Sequence, residues 1–162
     1  MESNPKFKYS VLFICSANQC RSPMAEVIFR QILSESEYRL DEWLVGSAGC
    51  WAYNGFPATE SAEIAVSEMG LDLSGHKSKG VSQSLLDKFN LVLCMEHDHK
   101  TTLQRNFPEA REKVFLLSEM TDEEQEIDDP IGLSLQDYLG TVEELRAYMN
   151  TGLERIVQHS SN

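Results

Sequence analysis

The chain has 162 residues, of which 41% are hydrophobic, and a formal net charge of -12. This length predicts a single domain over residues 1–162, with one hydrophobic core and no internal repeat. The acidic balance argues against nucleic acid and anionic membrane surfaces as partners, and no stretch approaches the ~20 apolar residues of a membrane span. The N-terminus lacks an apolar signal-peptide region, so we expect a cytoplasmic location, where the four cysteines would stay reduced.

A strand and a helix are the first elements predicted along the chain. The apolar run at 9–15 indicates a buried strand, and Pro23 suits the first turn of a helix near 23–34. Leu44 and Val45 begin a second strand that runs into Ser47-Ala48-Gly49. Apolar residues at helical spacing then follow until Gly70, which is expected to stop this second helix.

Two further strands and a long helix complete the prediction. The strands are expected at 91–95 and 114–117. Continuous apolar runs are typical of strands buried on both faces, as parallel sheets require. The alternation therefore predicts an α/β fold, with a doubly wound, four-stranded parallel sheet in a three-layer, Rossmann-like α/β/α arrangement. The C-terminal helix is predicted from the spacing of its apolar residues, Val142, Leu145, Met149, Leu153 and Ile156.

The turn between the first strand and the first helix carries the main chemical signal. Cys15 and Arg21 are spaced to share one phosphate-sized anion, and ligands of doubly wound sheets bind beyond the carboxyl ends of strands. Loop N–H groups at a helix N-terminus hold an oxyanion and also favour a thiolate, the nucleophilic form of cysteine. Arg21 would grip two oxygens of the anion, and Ser22 would donate a hydrogen bond to the thiolate. The predicted phosphate-binding residues are Ser16, Ala17, Asn18, Gln19, Cys20, Arg21 and Ser22.

Several segments, taken in chain order, resemble the low-molecular-weight protein tyrosine phosphatases. The resemblance covers nearly the whole chain, and it implies a cysteine-dependent phosphatase with a phosphocysteine intermediate, no metal or other cofactor, and a four-stranded parallel sheet flanked by helices. The matching segments are Val11-Leu12-Phe13-Ile14-Cys15, Asn18, Cys20-Arg21-Ser22-Pro23-Met24-Ala25-Glu26, Ser47-Ala48-Gly49, Asp72-Leu73-Ser74-Gly75-His76 and Asp129-Pro130.

A phosphatase of this kind needs an acid for the leaving group and a base for the later water, and one aspartate can do both in turn. The acidic segment before Pro130 offers Asp128 and Asp129, and the chemistry alone does not choose between them. The resemblance places the acid immediately before the proline, which implies Asp129. It also implies that His76 braces the phosphate loop through hydrogen bonds, while Ser22 and Asn18 support it.

The remaining cysteines and histidines have separate expectations. Cys20 lies in the same loop as Cys15, and we expect it to form a protective disulfide after oxidation. Cys94 falls in an apolar strand and is expected to be an ordinary core residue, while Cys50 stays undecided. The segment His97-Asp98-His99 is interpreted as the start of a polar helix capped by Asp98, because histidines two apart do not share a helix face and so do not suit a metal.

The substrate pocket is where the sequence departs from the family. Phosphotyrosine-selective members carry a bulky apolar residue after the nucleophile and tyrosines after the Asp-Pro pair, where this chain has Ser16, Ile131 and Gly132. Trp51 is left as the evident aromatic wall, with Ile131 also in the pocket. The segment 129–134 resembles a bacterial branch that includes protein-arginine phosphatases, although these typically carry threonine in place of Gln19.

Four functions therefore stay open. The preferred one is hydrolysis of protein phosphotyrosine or a small aryl phosphate by a monomeric enzyme. The alternatives are a protein-arginine phosphatase, a thiol-dependent arsenate reductase and a non-catalytic phosphate-binding module. The reductase would need further paired cysteines after the third strand, where only Cys94 is near. The module would have no need for the retained thiol, arginine, serine and Asp-Pro pair.

Overall fold

The computed structural model of the protein describes residues 6–162, and a parallel sheet lies at its centre. Four strands are paired in the order β2-β1-β3-β4, and every pairing is parallel, as predicted. In register, Cys15 at the end of β1 lies beside Gly49 at the end of β2. The carboxyl ends of these strands therefore meet at one edge. The strands are β1 (Tyr9–Cys15), β2 (Trp43–Gly49), β3 (Leu91–Cys94) and β4 (Val114–Leu116).

Helices cover both faces of the sheet. Successive side chains of β1 point to opposite faces, so Phe13 packs into one apolar cluster with Ile28, while Leu12 packs into a second with Leu103. Burying one such side chain contributes roughly 1.5–3 kcal/mol. The helices are α1 (Arg21–Ser34), α2 (Glu60–Ser67), α3 (Gln83–Leu86), α4 (His97–Asn106), α5 (Leu135–Thr151) and α6 (Leu153–Ser160), with 3-10 turns at Leu40–Glu42, Pro108–Lys113 and Leu117–Thr121. The three-layer α/β/α prediction is confirmed.

Two details of the helices differ from the prediction. The prediction of a single long C-terminal helix is wrong, because α5 ends at Thr151 and a separate helix, α6, begins directly after Gly152. A Cβ at Gly152 would lie 2.9 Å from both Cβ and the carbonyl oxygen of Met120, so this crossing has room only for glycine. The cap assigned to Asp98 is also wrong, because α4 begins two residues earlier, at His97, and its N-cap residue is Glu96.

The other elements lie close to their predicted positions. Helix α1 begins at Arg21, two residues before the expected start, so Pro23 still lies in its first turn, where a missing N–H costs no helical hydrogen bond. Gly70 follows α2 with a φ of 76°, which fits its role after the helix end. Within residues 6–162, none of the helices combines the length and the apolar character needed to cross a membrane.

Candidate active site

The loop between β1 and α1 is held against the segment that follows β2. Cys15 ends β1 and is nearly buried, with 2% of its surface exposed. Its carbonyl accepts a hydrogen bond from Cys50 N at 2.9 Å, and the Ser16 carbonyl accepts one from Trp51 N at 3.0 Å. Ser22 Oγ lies 2.9 Å from the Cys15 sulfur, as expected for a hydroxyl that donates to a thiolate.

The backbone of this loop makes a close turn that depends on two residues. A Cβ at Gly49 would lie 2.6 Å from Ser16 O and 2.9 Å from Asn18 N, so the loop can pack this closely only onto a glycine. Asn18 has a φ of 57°, a left-handed conformation that asparagine tolerates better than most residues. The φ of Ala17, which precedes Asn18, is not positive, so this residue bears no such strain.

The side chain of Asn18 ties the turn to its surroundings. Its amide donates to Ser22 Oγ at 2.8 Å and to Ser47 Oγ at 3.0 Å, and its oxygen accepts from Lys79 N at 3.0 Å. The main-chain carbonyl oxygen of Asn18 lies 2.7 Å from His76 Nε2, which is the hydrogen-bond contact expected of a histidine that supports the loop. Asn18 is completely buried, so these hydrogen bonds are shielded from water and fix the shape of the loop.

Arg21 is held on one side and open on the other. It is 1% exposed, and its Nη1 donates to Glu96 Oε2 at 2.5 Å and to Ile127 O at 2.7 Å. Its Nη2 lies 3.4 Å from Asp129 Oδ2 and 3.5 Å from Ser16 Oγ, and its buried Nε has no hydrogen-bond partner within residues 6–162. Burial opposes the charge, but the hydrogen bond to Glu96 and neighbouring negative charges raise the pKa of Arg21. The guanidinium therefore stays charged, with Nε and Nη2 able to bind an oxyanion.

Of the two candidate acids, the structure brings only Asp129 to the loop. Its Oδ1 accepts from Cys20 Sγ at 3.3 Å and from Ile131 N at 3.1 Å, while the Asp128 side chain is exposed. Burial, followed by the charges of Cys15 and Asp129, raises the pKa of Cys20, which keeps this thiol protonated. Asp129 therefore lies between the arginine and the second loop thiol.

His99 and Glu96 are contacts of the loop that sequence reasoning missed. His99 is completely buried, with Nε2 2.9 Å from Ser16 Oγ and Nδ1 accepting from Glu96 N at 3.1 Å. Its ring centroid lies 5.7 Å from that of Trp51. Burial and then the charge of Arg21 lower the pKa of His99 to about 4, so the ring is neutral at neutral pH. One signal could have found Glu96: it follows β3, whose carboxyl end lies at the same sheet edge as that of β1.

The side chains of the predicted pocket walls and of the other two cysteines differ in their exposure to solvent. Trp51 and Ile131 are about half exposed, at 55% and 52%, and Gln19 turns its amide away to donate to Pro57 O at 3.1 Å. Cys94 is completely buried, which confirms its core position, and burial raises the pKa of the half-buried Cys50 to about 12. All four cysteines are unpaired. In the part of the chain from 6 to 162, no three His, Cys, Asp or Glu side chains form a group that could hold a metal ion.

Known proteins match the chain along most of its length. The family model described as low molecular weight phosphotyrosine protein phosphatase matches residues 10–161. A protein-arginine-phosphatase of Bacillus subtilis (strain 168) is 36% identical over 83% of this chain and 88% of its own length. A probable low molecular weight protein-tyrosine-phosphatase, EpsP of Ralstonia solanacearum, is 36% identical over 75% of this chain and 77% of its own. A solved YwlE arginine phosphatase mutant with a phosphorylated active-site serine has a TM-score of 0.85 and 33% identity, covering 92% of this chain and 95% of its own.

Proposed function

The chain belongs to the low molecular weight phosphotyrosine protein phosphatases, a family of cysteine-based enzymes, and we propose that its substrate is protein phosphotyrosine or a small aryl phosphate. One arrangement carries the proposal. Cys15, the Nε and Nη2 donors of Arg21 and the carboxylate of Asp129 meet at a single loop at the carboxyl end of β1. A phosphate ester bound there would meet a thiol, a fixed positive charge and an acid together.

Binding is the first step that the geometry supports. No side chain caps α1, so the first N–H groups of this helix and those of the loop can bind phosphate oxygens. Glu96 and Ile127 hold Nη1 of Arg21, which fixes the plane of the guanidinium and leaves Nε and Nη2 for two further oxygens. Such preorganised donors bind most strongly when negative charge spreads over the phosphoryl oxygens in the transition state.

Transfer to the thiol is the second step. The Cys15 thiolate attacks phosphorus, a sulfur–phosphorus bond forms, and the bond from phosphorus to the leaving oxygen breaks as Asp129 gives that oxygen a proton. Asn18 donates to Ser22 Oγ, and the one hydroxyl hydrogen of Ser22 has two acceptors within reach, the Cys15 sulfur at 2.9 Å and the Ala48 carbonyl oxygen at 3.3 Å. A thiolate at Cys15 is the nearer and the charged acceptor, so the hydroxyl donates to it. That hydrogen bond stabilises the thiolate before attack and again when the thiolate leaves.

Hydrolysis of the phosphocysteine is the third step. Asp129, now ionised, takes a proton from water while the water oxygen attacks phosphorus. The sulfur–phosphorus bond breaks, inorganic phosphate leaves, and Cys15 returns to the thiolate. The same carboxylate serves as acid and then as base, so its position beside Arg21 Nη2, 3.4 Å away, keeps it next to the phosphoryl group in both steps.

Trp51 and Ile131 support an aryl substrate, because the exposed indole and the isoleucine can flank a phosphorylated ring. Phosphoarginine is a second candidate, favoured by the relative named protein-arginine-phosphatase and by the small polar side chain of Ser16 beside the nucleophile. A phosphorylated protein is the partner in either case. We take the enzyme to be a cytoplasmic monomer, and the four unpaired cysteines suit a reducing compartment.

Cys20 is proposed to protect the nucleophile from irreversible oxidation. Peroxide would oxidise the Cys15 thiolate to a sulfenic acid, and the Cys20 sulfur would then displace water from it to form a disulfide. A thiol reductant would later restore both thiols. Two observations support this role: Cys20 lies in the same loop as Cys15, and its thiol donates to Asp129 Oδ1 at 3.3 Å, so the carboxylate can take the proton that the thiol loses on attack. A Cys20→Ser variant should recover less activity than the wild-type protein after peroxide and reductant treatment.

The test is phosphate release at slightly acidic pH from two matched peptides, one with phosphotyrosine and one with phosphoarginine. Cys15→Ser is the control, since it should abolish turnover without disturbing the fold. Cleavage of the phosphotyrosine peptide alone supports the first proposal, and preference for phosphoarginine moves the substrate to the second. Release from neither peptide would contradict both, and arsenate-dependent thiol consumption would then be measured.

A further inference from the structure

The two ring nitrogens of His99 have partners of different kinds. Nδ1 lies 3.1 Å from the backbone N–H of Glu96, and a backbone N–H can only donate, so Nδ1 must carry the lone pair. In the neutral ring the hydrogen is therefore on Nε2, which lies 2.9 Å from Ser16 Oγ. His99 thus donates to the hydroxyl of Ser16.

The Ser16 hydroxyl has a second neighbour that can only donate. Arg21 Nη2 lies 3.5 Å from Ser16 Oγ, at the outer limit of a hydrogen bond. With donors on its oxygen from both sides, the hydroxyl must direct its own hydrogen elsewhere, and within residues 6–162 no hydrogen bond accepts it. The adjacent Nη2, which also lies 3.4 Å from Asp129 Oδ2, is one of the two arginine donors that Glu96 and Ile127 leave for an oxyanion. The hydroxyl hydrogen and this donor are therefore close enough to bind the same phosphoryl oxygen.

We propose that His99 is a positioning residue: by donating to Ser16 Oγ, it turns the Ser16 hydroxyl hydrogen toward a phosphoryl oxygen of the substrate. This role rests on the proposed phosphatase function. Burial of His99 and the packing of its ring 5.7 Å from that of Trp51 keep the imidazole in one orientation. The hydroxyl is consequently held in its donating orientation before substrate binds, which is how preorganised donors gain their effect.

A matched pair of substitutions separates this role from a structural one. Asparagine at 99 places its amide oxygen near the position of Nδ1, so His99→Asn keeps an acceptor for Glu96 N–H and loses the donor to Ser16. Glutamine reaches the position of Nε2, so His99→Gln keeps the donor and loses the acceptor. Each substitution is made in the wild-type protein and in the Ser16→Ala variant. The affinity for inorganic phosphate is measured by calorimetry, and kcat/KM is measured with p-nitrophenyl phosphate.

We expect His99→Asn and Ser16→Ala each to weaken phosphate binding and kcat/KM by roughly tenfold, the effect of losing a hydrogen bond to a charged group. His99→Gln should keep most of both, and adding His99→Asn to Ser16→Ala should cause no further loss. Equal losses in the two His99 variants, or losses that add in the double variant, would overturn the proposal. Phosphate affinity reports on Ser16 even if no phosphate ester is hydrolysed, so failure of the phosphatase function would be recognised separately.

A second measurement uses the wild-type protein, and it tests the orientation of the Ser16 hydroxyl even if a His99 variant does not fold. Nitrogen-15 NMR of the ring at neutral pH distinguishes the two neutral forms of histidine. A hydrogen on Nε2 is the expected result. A hydrogen on Nδ1 would make His99 an acceptor from Ser16 and would refute the proposed orientation of the hydroxyl.

Discussion

His99 should make the folded protein lose stability as pH falls. Its pKa is lowered from 6.5 to about 4 by burial and by the charge of Arg21, whereas the unfolded chain keeps the ordinary value. Between these two pH values the unfolded state binds more protons than the folded state, so acid favours unfolding. The groups whose charges act on the ring are Arg21, which disfavours protonation, and four carboxylates, which favour it: Glu96, whose Oε2 lies 3.8 Å from Nε2, and Asp98, Glu126 and Asp129.

The size of the effect follows from the two pKa values. At pH 7 His99 is neutral in the folded state and mostly neutral in the unfolded state, while at pH 5 the unfolded residue is almost fully charged and the folded one is mostly neutral. The difference corresponds to about 2 kcal/mol of lost unfolding free energy over this range. His99→Asn removes the titrating group while keeping an acceptor at the Nδ1 position, so it should remove this part of the pH dependence even if it changes the absolute stability.

Urea unfolding at pH 7 and at pH 5, for the unchanged protein and for His99→Asn, measures the effect. Carboxylates with lowered pKa values, such as Glu119 and Asp122, also lose stabilising interactions in acid, but they are present in both proteins and cancel in the comparison. The unchanged protein should lose about 2 kcal/mol more than the variant between the two pH values. Equal losses would show that the native ring protonates as readily as the unfolded one, and the burial argument would then be wrong.

Three further predictions concern the loop and its acid. Gly49→Ala should weaken phosphate binding in calorimetry, since its Cβ would strike the loop backbone, whereas Gly75→Ala, with no heavy atom within 4 Å of the added carbon, should leave binding unchanged. Asn18→Ala should lower the unfolding free energy by about 2–4 kcal/mol in urea titrations, because it adds left-handed strain and leaves buried partners unpaired. Asp129→Ala should accumulate phosphate on Cys15, detected as a mass increase after a rapid acid quench, and no trapped adduct would argue against Asp129 as the base.

The sheet and the loop could be predicted because their signals are local. Continuous apolar runs revealed the four strands, and the spacing of Cys15 and Arg21 after the first of them located the anion-binding loop. The helix break at Gly152 could not be predicted in this way, because it depends on close contact with Met120, a residue distant along the chain. A glycine at that position is equally compatible with an uninterrupted helix until the packing partner is known.

The residues that contact Arg21 and Ser16 could not be predicted from the sequence for a related reason. Glu96 and His99 belong to a polar stretch whose pattern is typical of an exposed helix start, yet the parallel crossover brings that stretch to the same sheet edge as the loop. His99 is completely buried there, and the one apolar residue of α4, Leu103 four positions further on, is too weak a signal to predict that burial. Side-chain burial at the end of a helix is set by what the helix packs against, which the local sequence does not contain.

The charges around the loop show why anion binding depends on the local arrangement of side chains and not on the net charge of the protein. The net charge of -12 would repel a phosphate dianion from the surface as a whole. Inside the loop the balance differs, because Glu96 engages only Nη1 of Arg21, while Nε has no hydrogen-bond partner among residues 6–162 and Nη2 has only longer contacts to Asp129 and Ser16. Removing Glu96 would leave the buried arginine without its closest counter-charge, a change that typically costs 3–5 kcal/mol. The carboxylate therefore does not cancel the anion site; it orients the guanidinium that forms it, and the neutral His99 donates to Ser16 without adding a charge that would compete for Glu96.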